Sequence, residues 1–304
     1  MKLQQLRFIC EVARQGLSVS AAAEALYTAQ PGVSNQIRLL EDELQVQIFK
    51  RNGKRLVGLT EAGELILRMA ERILNEVENI KNVGSEYASD VSGKLSIATT
   101  HTQARYALPG VIKRFTEQFP HVTLHIHQGN PMQIAEMVAS GKADIAIATE
   151  GIQLFEDLVM MDCYEWNHCV LAPPEHAIFN EVPITLESLA RYPIVTYDFA
   201  FSGRSKINKA FSEQDLQPNI VFTAIDSDVL KTYVEIGLGI GLVAKMAYDE
   251  KRDAGLKCED IGHLFEPNVT HIGVRKGSYL RSYMYTFIEM FAPHLTRDAV
   301  KAAL

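Results

Sequence analysis

Apolar side chains recur every three or four positions through the first 83 residues, a spacing typical of amphipathic helices. Residues 3–13 predict a first helix, which Gly16 ends. Residues 18–44 predict two shorter helices, separated by a tight corner at Tyr27 and Thr28. The chain therefore begins with three helices, and the last two are joined closely enough to pack as a pair.

The third of these helices has two chemically different faces. Four aliphatic side chains mark its predicted buried face: Val33, Ile37, Leu40 and Leu44. Its opposite face is polar and mostly uncharged: Gln30, Ser34, Asn35 and Arg38. This face suits the major groove of DNA, because amides and hydroxyls read base edges and arginine binds guanine or phosphate. A surface helical hairpin whose outer face is simply polar is the alternative.

A basic hairpin is predicted directly after the helix pair. Asn52-Gly53 is a hairpin turn signal, and four basic residues surround it: Lys50, Arg51, Lys54 and Arg55. The net charge of the chain is −7, but residues 1–60 hold eight Lys/Arg and five Asp/Glu, so they carry +3 and the remainder carries −10. Positive charge therefore gathers where a wing would contact phosphates. An exposed charged turn is the simpler interpretation.

A long helical stretch opens at Thr60 and continues to about Val83. Its apolar residues step alternately by four and three positions, as in a heptad seam: Ile66, Ala70, Ile73, Val77 and Ile80. A lone helix would expose this seam, so we predict a dimer, with packing against its own chain as the alternative. The polar, glycine-flanked segment Gly84–Gly93 is interpreted as a hinge.

From Lys94 onward, short apolar strands alternate with helices. The predicted strands are 95–98, 122–127, 143–148, 169–172, 194–197, 220–223, 240–243 and 271–275, and the predicted helices are 102–119, 131–140, 204–213, 227–236 and 280–291. This alternation predicts an α/β region with a parallel sheet. The last strand and helix are expected to return to the first of two lobes, which leaves a cleft where ligands of α/β folds bind.

Hydroxyls and amides cluster where the predicted cleft should lie. They come from Thr99–Gln103, from Thr149 and from Phe201–Ser205, each at a strand end or before a helix. Helix N-termini carry free N–H groups and partial positive charge, so these segments can hold a small anion without Lys or Arg. Plain N-capping explains the same residues equally well. Arg204 is either a ligand partner or part of an ion pair that closes the lobes.

Two ordered motifs give the N-terminal region a family resemblance. The run Gln30–Glu41 reads QPGVSNQIRLLE and Leu59–Gly63 reads LTEAG, and both resemble the winged helix-turn-helix of LysR-type transcriptional regulators. The resemblance covers nearly the whole chain. It implies an α/β protein with a DNA-binding domain at 1–59, a linker helix for dimerisation and hinge at 60–92, and a periplasmic-binding-protein-like effector domain at 93–304. Lobe I of that domain would span about 93–163 and 268–304, and lobe II about 164–267.

Further segments sharpen the resemblance within this family. ATTHTQARYALP, HQGNPMQIAEMV, ADIAIATE and FTAIDSDVLKTYV are similar to the branch that controls sulfur assimilation and cysteine biosynthesis. This similarity implies promoter DNA, RNA polymerase and a second copy of the chain, as homodimer or homotetramer, as partners. It also implies a small anionic effector, namely acetylserine, sulfate or thiosulfate; a different small anion is the alternative. The implied effector site is Thr100, Thr102, Gln103, Thr149, Trp166 and Ser202.

The resemblance also implies DNA contacts and exposes three departures from the branch. The implied contacts are Thr28, Gln30, Pro31, Ser34, Asn35, Arg38, Arg51, Lys54 and Arg55. Ser202 stands where Thr is usual, Asn35 where Lys is usual, and Ala29 where Ser is usual. Because the side chain of Ala29 has no oxygen that could cap a helix, Thr28 or Gln30 is expected to cap the third helix. Pro31 fits the first turn of that helix.

Other classes of protein are disfavoured. No apolar run approaches the ~20 residues of a membrane span and no signal-peptide core is present, so we expect a cytoplasmic protein without membrane contact. No metal or cofactor is predicted, since the four cysteines lack CxxC spacing: Cys10, Cys163, Cys169 and Cys258. No nucleophile, base and acid stand together, and His101 is the best single base candidate, so an α/β enzyme is a weaker alternative. A transport-type binding protein would need an export signal, so it is the other weaker alternative.

Overall fold

The computed structural model describes residues 1–53, 55–86, 92–149, 155–199 and 203–304. The chain divides into two compact units, Met1–Tyr87 and Ala88–Leu304. The first unit contains α1 (Leu3–Arg14), α2 (Val19–Ala25), α3 (Gln30–Leu44), β1 (Phe49–Asn52), β2 (Arg55–Leu59) and α4 (Glu61–Glu86). The three initial helices, the hairpin and the long helix are thus present as the sequence predicts.

The first three helices enclose an apolar core. Its fully buried members come from all three helices: Ile9, Val12, Ala22, Val33, Ile37 and Leu40. The small side chain of Ala22 lets α2 approach its neighbours closely. The prediction for Leu44 is wrong: this side chain is 37% exposed, whereas Glu41, one turn earlier, is 2% exposed. Glu41 is buried because its carboxylate meets the main chain that follows α3.

Helix α3 begins without the cap expected from its sequence. Its N-cap residue is Ala29, in extended conformation, and no side chain caps the helix. The capping role predicted for Thr28 or Gln30 is therefore wrong, and the Gln30 amide instead donates to Ser34 Oγ at 2.9 Å. Pro31 does lie in the first turn, where its missing N–H costs nothing.

Helix α4 packs its first half against its own unit. Ala70 is 1% exposed within the core and Ile66 packs partly against it, so this part of the predicted seam serves the chain itself. The exposed apolar side chains of α4 form a stripe that is displaced from the predicted heptad seam: Leu65, Met69, Ile73, Ile80 and Val83. Residues 84–86 of the predicted hinge are still helical, and residues 87–91 lie outside the described part of the chain.

The second unit contains two five-stranded sheets. One has the order β4 (Val122–Gln128), β3 (Gly93–Thr99), β5 (Ile145–Ala148), β12 (Asn268–Arg275), β6 (Leu158–Trp166). The other has the order β11 (Lys257–Asp260), β7 (His168–Ala172), β10 (Ile240–Ala244), β8 (Ile194–Tyr197), β9 (Ile220–Ala224). We call the first sheet with its helices the first lobe, and the second sheet with its helices the second lobe.

Seven helices accompany the sheets in the described part of this unit. They are α5 (Leu108–Gln118), α6 (Pro131–Ala139), α7 (Leu186–Ala190), α8 (Arg204–Glu213), α9 (Ser227–Glu235), α10 (Ser282–Phe291) and α11 (Arg297–Ala303). The helix predicted from residue 102 instead starts as a π-helical turn, Gln103–Ala107, before α5. None of the helices in the described ranges is long and apolar enough to cross a membrane.

Both sheets are mixed, which corrects the prediction of a parallel sheet. Strand β3 runs parallel to β4 and β5, but β12 runs antiparallel to β5 and β6. In the second lobe, β8 is parallel to β9 and β10, whereas β7 is antiparallel to β10 and β11. The reversed strands are those that cross between lobes. The first crossing is at Asn167, between β6 and β7, and β12 returns the chain to the first lobe.

Candidate functional site

The polar face of α3 is presented to solvent as a row of paired side chains. Gln30, Asn35 and Arg38 are exposed and Ser34 is half-buried. Arg38 donates from Nη2 to Asn35 Oδ1 at 3.2 Å, and Gln30 donates from Nε2 to Ser34 Oγ at 2.9 Å. These short-range pairs hold the amide and guanidinium groups on one surface. The geometry matches what a helix needs to read base edges in a groove.

Glu41 ties the β1–β2 hairpin to α3. Its Oε1 accepts from the main-chain N–H groups of Ile48 at 2.9 Å and Phe49 at 3.2 Å, and its Oε2 accepts from Arg51 Nη2 at 2.9 Å. The hairpin turns at Gly53, whose φ of +60° suits a residue without Cβ. A buried carboxylate therefore fixes the position of the basic hairpin. The sequence pattern did not indicate this role, because Glu41 looks like a surface residue of a charged helix end.

The predicted DNA contacts lie on this surface as far as they are described. Arg55, Thr28 and Pro31 are exposed, and the Arg51 side chain is 38% exposed beside Glu41. Lys54 lies outside the described residues. Helix α3 and the hairpin thus place the basic and the amide-bearing side chains within one compact unit.

The predicted effector residues are buried polar groups at the lobe junction. Thr100, Thr102, Gln103, Thr149 and Trp166 are each less than 9% exposed. The Trp166 indole donates from Nε1 to Thr149 Oγ1 at 3.2 Å, which brings two of them into contact. Ser202 lies outside the described residues.

A closed hydrogen-bond network orients Gln103. Its Nε2 donates to Thr270 Oγ1 at 3.1 Å, and its Oε1 accepts from the Tyr164 hydroxyl. Burial raises the pKa of Tyr164 to about 12, so this hydroxyl stays a donor at neutral pH. Sequence reasoning missed Tyr164 and Thr270. The available signal was weak: Tyr164 lies just before one lobe crossing and Thr270 just after the other, and β6 was not predicted as a strand.

Helix α8 places its N-terminus at the same junction. Gly203 is its N-cap, with a φ of +74° and no capping side chain. Arg204 is 8% exposed and donates to Tyr197 O and to Asn208 Oδ1, both at 2.9 Å. Burial lowers the pKa of Arg204. Both of these partners belong to the second lobe, so these contacts hold Arg204 within its own lobe.

A polar cluster joins the two lobes directly. Asp228 of the second lobe accepts from Arg105 Nε at 3.0 Å and from the Tyr106 hydroxyl at 2.6 Å. Lys231 Nζ lies 3.2 Å from the same carboxylate. Burial raises the pKa of Asp228, but hydrogen bonds from Tyr106, Arg105 and Lys231 outweigh it and lower the pKa to about 2. The carboxylate is therefore ionised at neutral pH and links residues of the first lobe to the second.

His101 belongs to the same cluster. Its Nε2 lies 3.1 Å from Asp226 Oδ1, and one ligand atom from each of His101, Asp226 and Asp228 falls within 4.8 Å of the others. Three donors already occupy Asp228, so the cluster is better suited to joining the lobes than to holding a cation. His101 is also paired with a carboxylate and has no nucleophile beside it among its described contacts.

Comparison with known families decides the class of protein. The family "Bacterial regulatory helix-turn-helix protein, lysR family" matches residues 3–64, and the family "LysR substrate binding domain" matches residues 88–296. The chain belongs to the LysR family. It is a transcriptional regulator and not an enzyme, as its sequence predicted. LysR regulators bind promoter DNA and small-molecule effectors and form oligomers.

Individual relatives of this LysR regulator are similar over their full length. It is 52% identical to the HTH-type transcriptional regulator CysB of Burkholderia cenocepacia, over 100% of this chain and 97% of the relative. It is 51% identical to the regulator SsuR of the same organism, over 100% and 99%. The solved cofactor-binding domain of the Cbl transcriptional regulator is 44% identical and superimposes with a TM-score of 0.68, covering 70% of this chain and 93% of that one. The predicted family and the two-lobed α/β fold are thereby confirmed.

Proposed function

We propose that this LysR-family regulator controls genes of sulfur assimilation and cysteine biosynthesis in response to a small metabolite of that pathway. Identity of about half of all residues with CysB over the full chain supports this assignment. The proposed effector is acetylserine, sulfate or thiosulfate, held by Thr100, Thr102, Gln103, Thr149, Trp166 and Ser202. A cytoplasmic location follows from the need to reach promoter DNA.

The observation that carries the proposal is the orientation of donors in the buried cluster. The Trp166 indole already donates to Thr149 Oγ1, so the hydroxyl hydrogen of Thr149 is available for a ligand. The oxygen of Gln103 is occupied by Tyr164, while its amide nitrogen has a second N–H beyond the bond to Thr270. Thr149 and Gln103 therefore each offer a hydrogen-bond donor to a ligand. Such a site binds an oxyanion or carboxylate without a cationic side chain.

The DNA-binding half of the proposal uses α3 and the basic hairpin. The proposed contacts are Thr28, Gln30, Pro31, Ser34, Asn35, Arg38, Arg51, Lys54 and Arg55. A dimer would present two copies of α3 to one face of the duplex, so the operator should be an interrupted inverted repeat. The exposed apolar stripe of α4 supports pairing with a second copy, and a tetramer and contact with RNA polymerase complete the proposed assembly. The chain boundaries 1–59, 60–92 and 93–304 remain the proposed domain division.

Calorimetry on the purified full chain tests the effector assignment. N-acetylserine, O-acetylserine, sulfate and thiosulfate are titrated separately, and binding of at least one is expected. Thr100→Val, which keeps the shape but removes the hydroxyl, should weaken binding at least tenfold. Thr123→Val is the matched control, because Thr123 is exposed on β4.

Gel shifts on inverted-repeat promoter fragments test the DNA-binding half of the proposal. The Thr100→Val protein should bind DNA with unchanged affinity and lose only its response to the effector. If the chain binds none of the four compounds, the assignment to sulfur metabolism is wrong, and a LysR regulator with another small anionic effector is the remaining interpretation. Equal loss of ligand and DNA binding in Thr100→Val would contradict the proposed site.

A further inference from the structure

Two of the four cysteines lie next to each other in the second lobe. Cys169 is in β7 and is 0% exposed, whereas Cys258 is in β11 and is half-buried. Cys258 lies opposite Leu171 in the antiparallel register of the two strands, and Leu171 is two positions from Cys169, so both thiols project from the same face of the sheet. The Cys169 thiol donates a hydrogen bond to the Cys258 sulfur. The two sulfurs are therefore already in contact in the reduced protein.

The two thiols differ in charge and in access to solvent. The hydrogen bond from Cys169 and the ammonium group of Lys245 lower the pKa of Cys258, and they outweigh its partial burial and the nearby carboxylates of Asp260 and Glu259. The same hydrogen bond, together with burial, raises the pKa of Cys169 well above its usual range. Because the thiolate is the nucleophilic form, Cys258 is the more reactive sulfur, and it is also the one that solvent can reach. Cys169 stays protonated behind it.

Strand β11 can adjust its position because it lies at the edge of its sheet and pairs with β7 on one side only. Diagonal neighbours on an antiparallel strand pair are about 7–8 Å apart, whereas a disulfide joins Cα atoms about 4.4–6.8 Å apart. A bond between the two sulfurs would therefore pull β11 along β7 and store strain. Strained or exposed disulfides have more oxidising potentials and are the labile ones, so this pair suits a reversible reaction better than a permanent cross-link.

We propose that Cys258 and Cys169 form a redox-active thiol pair, in which a hydroperoxide oxidises Cys258 and Cys169 then closes a reversible disulfide. The Cys258 thiolate attacks one oxygen of hydrogen peroxide, the O–O bond breaks, and a sulfenic acid forms as the other oxygen leaves as hydroxide. Cys169 gives up its proton and attacks the Cys258 sulfur, so an S–S bond replaces the S–O bond. Together the two thiols lose two protons and two electrons, and hydrogen peroxide is reduced to two molecules of water. The reaction does not depend on which effector the regulator binds.

Mass spectrometry of the full-length protein tests this pair. Reduced protein is treated with a few equivalents of hydrogen peroxide at neutral pH, its free thiols are blocked, and it is digested without reductant. A peptide pair that joins Cys169 to Cys258 is expected, and dithiothreitol should separate it. In Cys169→Ser, the reaction should stop at the sulfenic acid, so dimedone should label Cys258 at least tenfold more than Cys163. Cys258→Ser should give neither product.

Cys163→Ser is the matched control for these variants. Cys163 is also buried, but its thiol donates to the main-chain oxygen of Met161 rather than to another sulfur. This variant should form the disulfide as wild type does. Mixing isotope-labelled with unlabelled protein before oxidation shows whether the link lies within one chain, and Trp166 fluorescence during urea unfolding verifies that each variant is folded.

Three results would overturn the proposal. The first is wild-type protein in which Cys169 and Cys258 stay unlinked after peroxide treatment. The second is a link that forms only between labelled and unlabelled copies. The third is equal dimedone labelling of Cys258 and Cys163 in a folded Cys169→Ser protein, because Cys258 would then have no special reactivity. The wild-type measurements need no substitution, and Cys169→Ala replaces Cys169→Ser if the latter does not fold.

Discussion

Replacing Glu41 by Gln tests whether one buried carboxylate holds the basic hairpin. The carboxylate accepts two main-chain N–H groups and one guanidinium N–H, at 2.9, 3.2 and 2.9 Å. In the amide, one oxygen becomes a donor, so the Arg51 contact is lost and the two remaining bonds change from charged to neutral. Hydrogen bonds to a charged group contribute about 1.5–3 kcal/mol and neutral ones about 1 kcal/mol. Arg51 is partly exposed, so its ion pair adds little.

The expected loss is therefore about 2 kcal/mol of local stability around Ile48 and Phe49. Since every 1.4 kcal/mol is a factor of ten, opening of this segment should become about 30-fold more frequent. Hydrogen exchange followed by mass spectrometry measures this in peptides that cover residues 45–53. Affinity for promoter DNA should fall in parallel, because a mobile hairpin loses ordering entropy when it contacts phosphates.

Asp42→Asn is the matched control, because it makes the same chemical change one residue away on an exposed side chain. It should leave exchange within about twofold of wild type. The Trp166 unfolding transition reports on the other unit and should be the same in all three proteins. Equal exchange in Glu41→Gln and Asp42→Asn would refute the assigned role of Glu41.

Three further experiments have defined expected outcomes. Gly63→Ala should destabilise the N-terminal unit by about 1–3 kcal/mol, because its Cβ would collide with a main-chain carbonyl; Gly84→Ala in the same helix meets nothing within 4 Å and should not, as thermal unfolding would show. Iodoacetamide at pH 7.5 should label Cys258 before Cys163 by mass spectrometry, because a hydrogen bond from the neighbouring Cys169 lowers the pKa of Cys258, whereas burial raises the pKa of Cys163 to about 12. Asp228→Asn should lower the urea midpoint of unfolding at pH 7. Because the pKa of Asp228 is depressed to about 2, the difference in midpoint between wild type and variant should shrink as the pH falls from about 4 to about 2. A difference in midpoint that stays constant with pH would contradict the ion pairing.

The N-terminal unit was predictable because its signals are local. Helical periodicity and the Asn52-Gly53 turn lie within a few residues of the structure they specify. The prediction that a side chain caps α3 was wrong, because Ala29 takes the N-cap position and makes no side-chain hydrogen bond. The direction of β12 could not be read from its apolar pattern, since a strand that crosses between lobes enters its sheet from the opposite end. That direction is a property of the whole chain path.

The buried polar residues of the second unit also show where prediction from the sequence ends. Hydroxyls at strand ends are visible in the sequence, so Thr100 and Thr149 could be placed in a cleft. The partner of Gln103 could not, because Thr270 is 167 positions away. Asn268 belongs to no sequence pattern, and only the structure shows that its side chain is buried without a hydrogen-bond partner among the described residues. Residues whose function depends on long-range partners therefore need the structure.

The pocket and the lobe contacts occupy one short segment, which suggests how an effector is sensed. Thr102 and Gln103 belong to the proposed site, and Arg105 and Tyr106, in the π-helical turn that Gln103 begins, bind Asp228 of the other lobe. A ligand that moves this segment must therefore strengthen or weaken the lobe contact. The Arg105–Asp228 pair is exposed to solvent, which screens its charges and keeps the contact weak. An effector at one hundred times its dissociation constant for one lobe arrangement favours that arrangement by about 2.7 kcal/mol if it does not bind the other, and by less if it binds both.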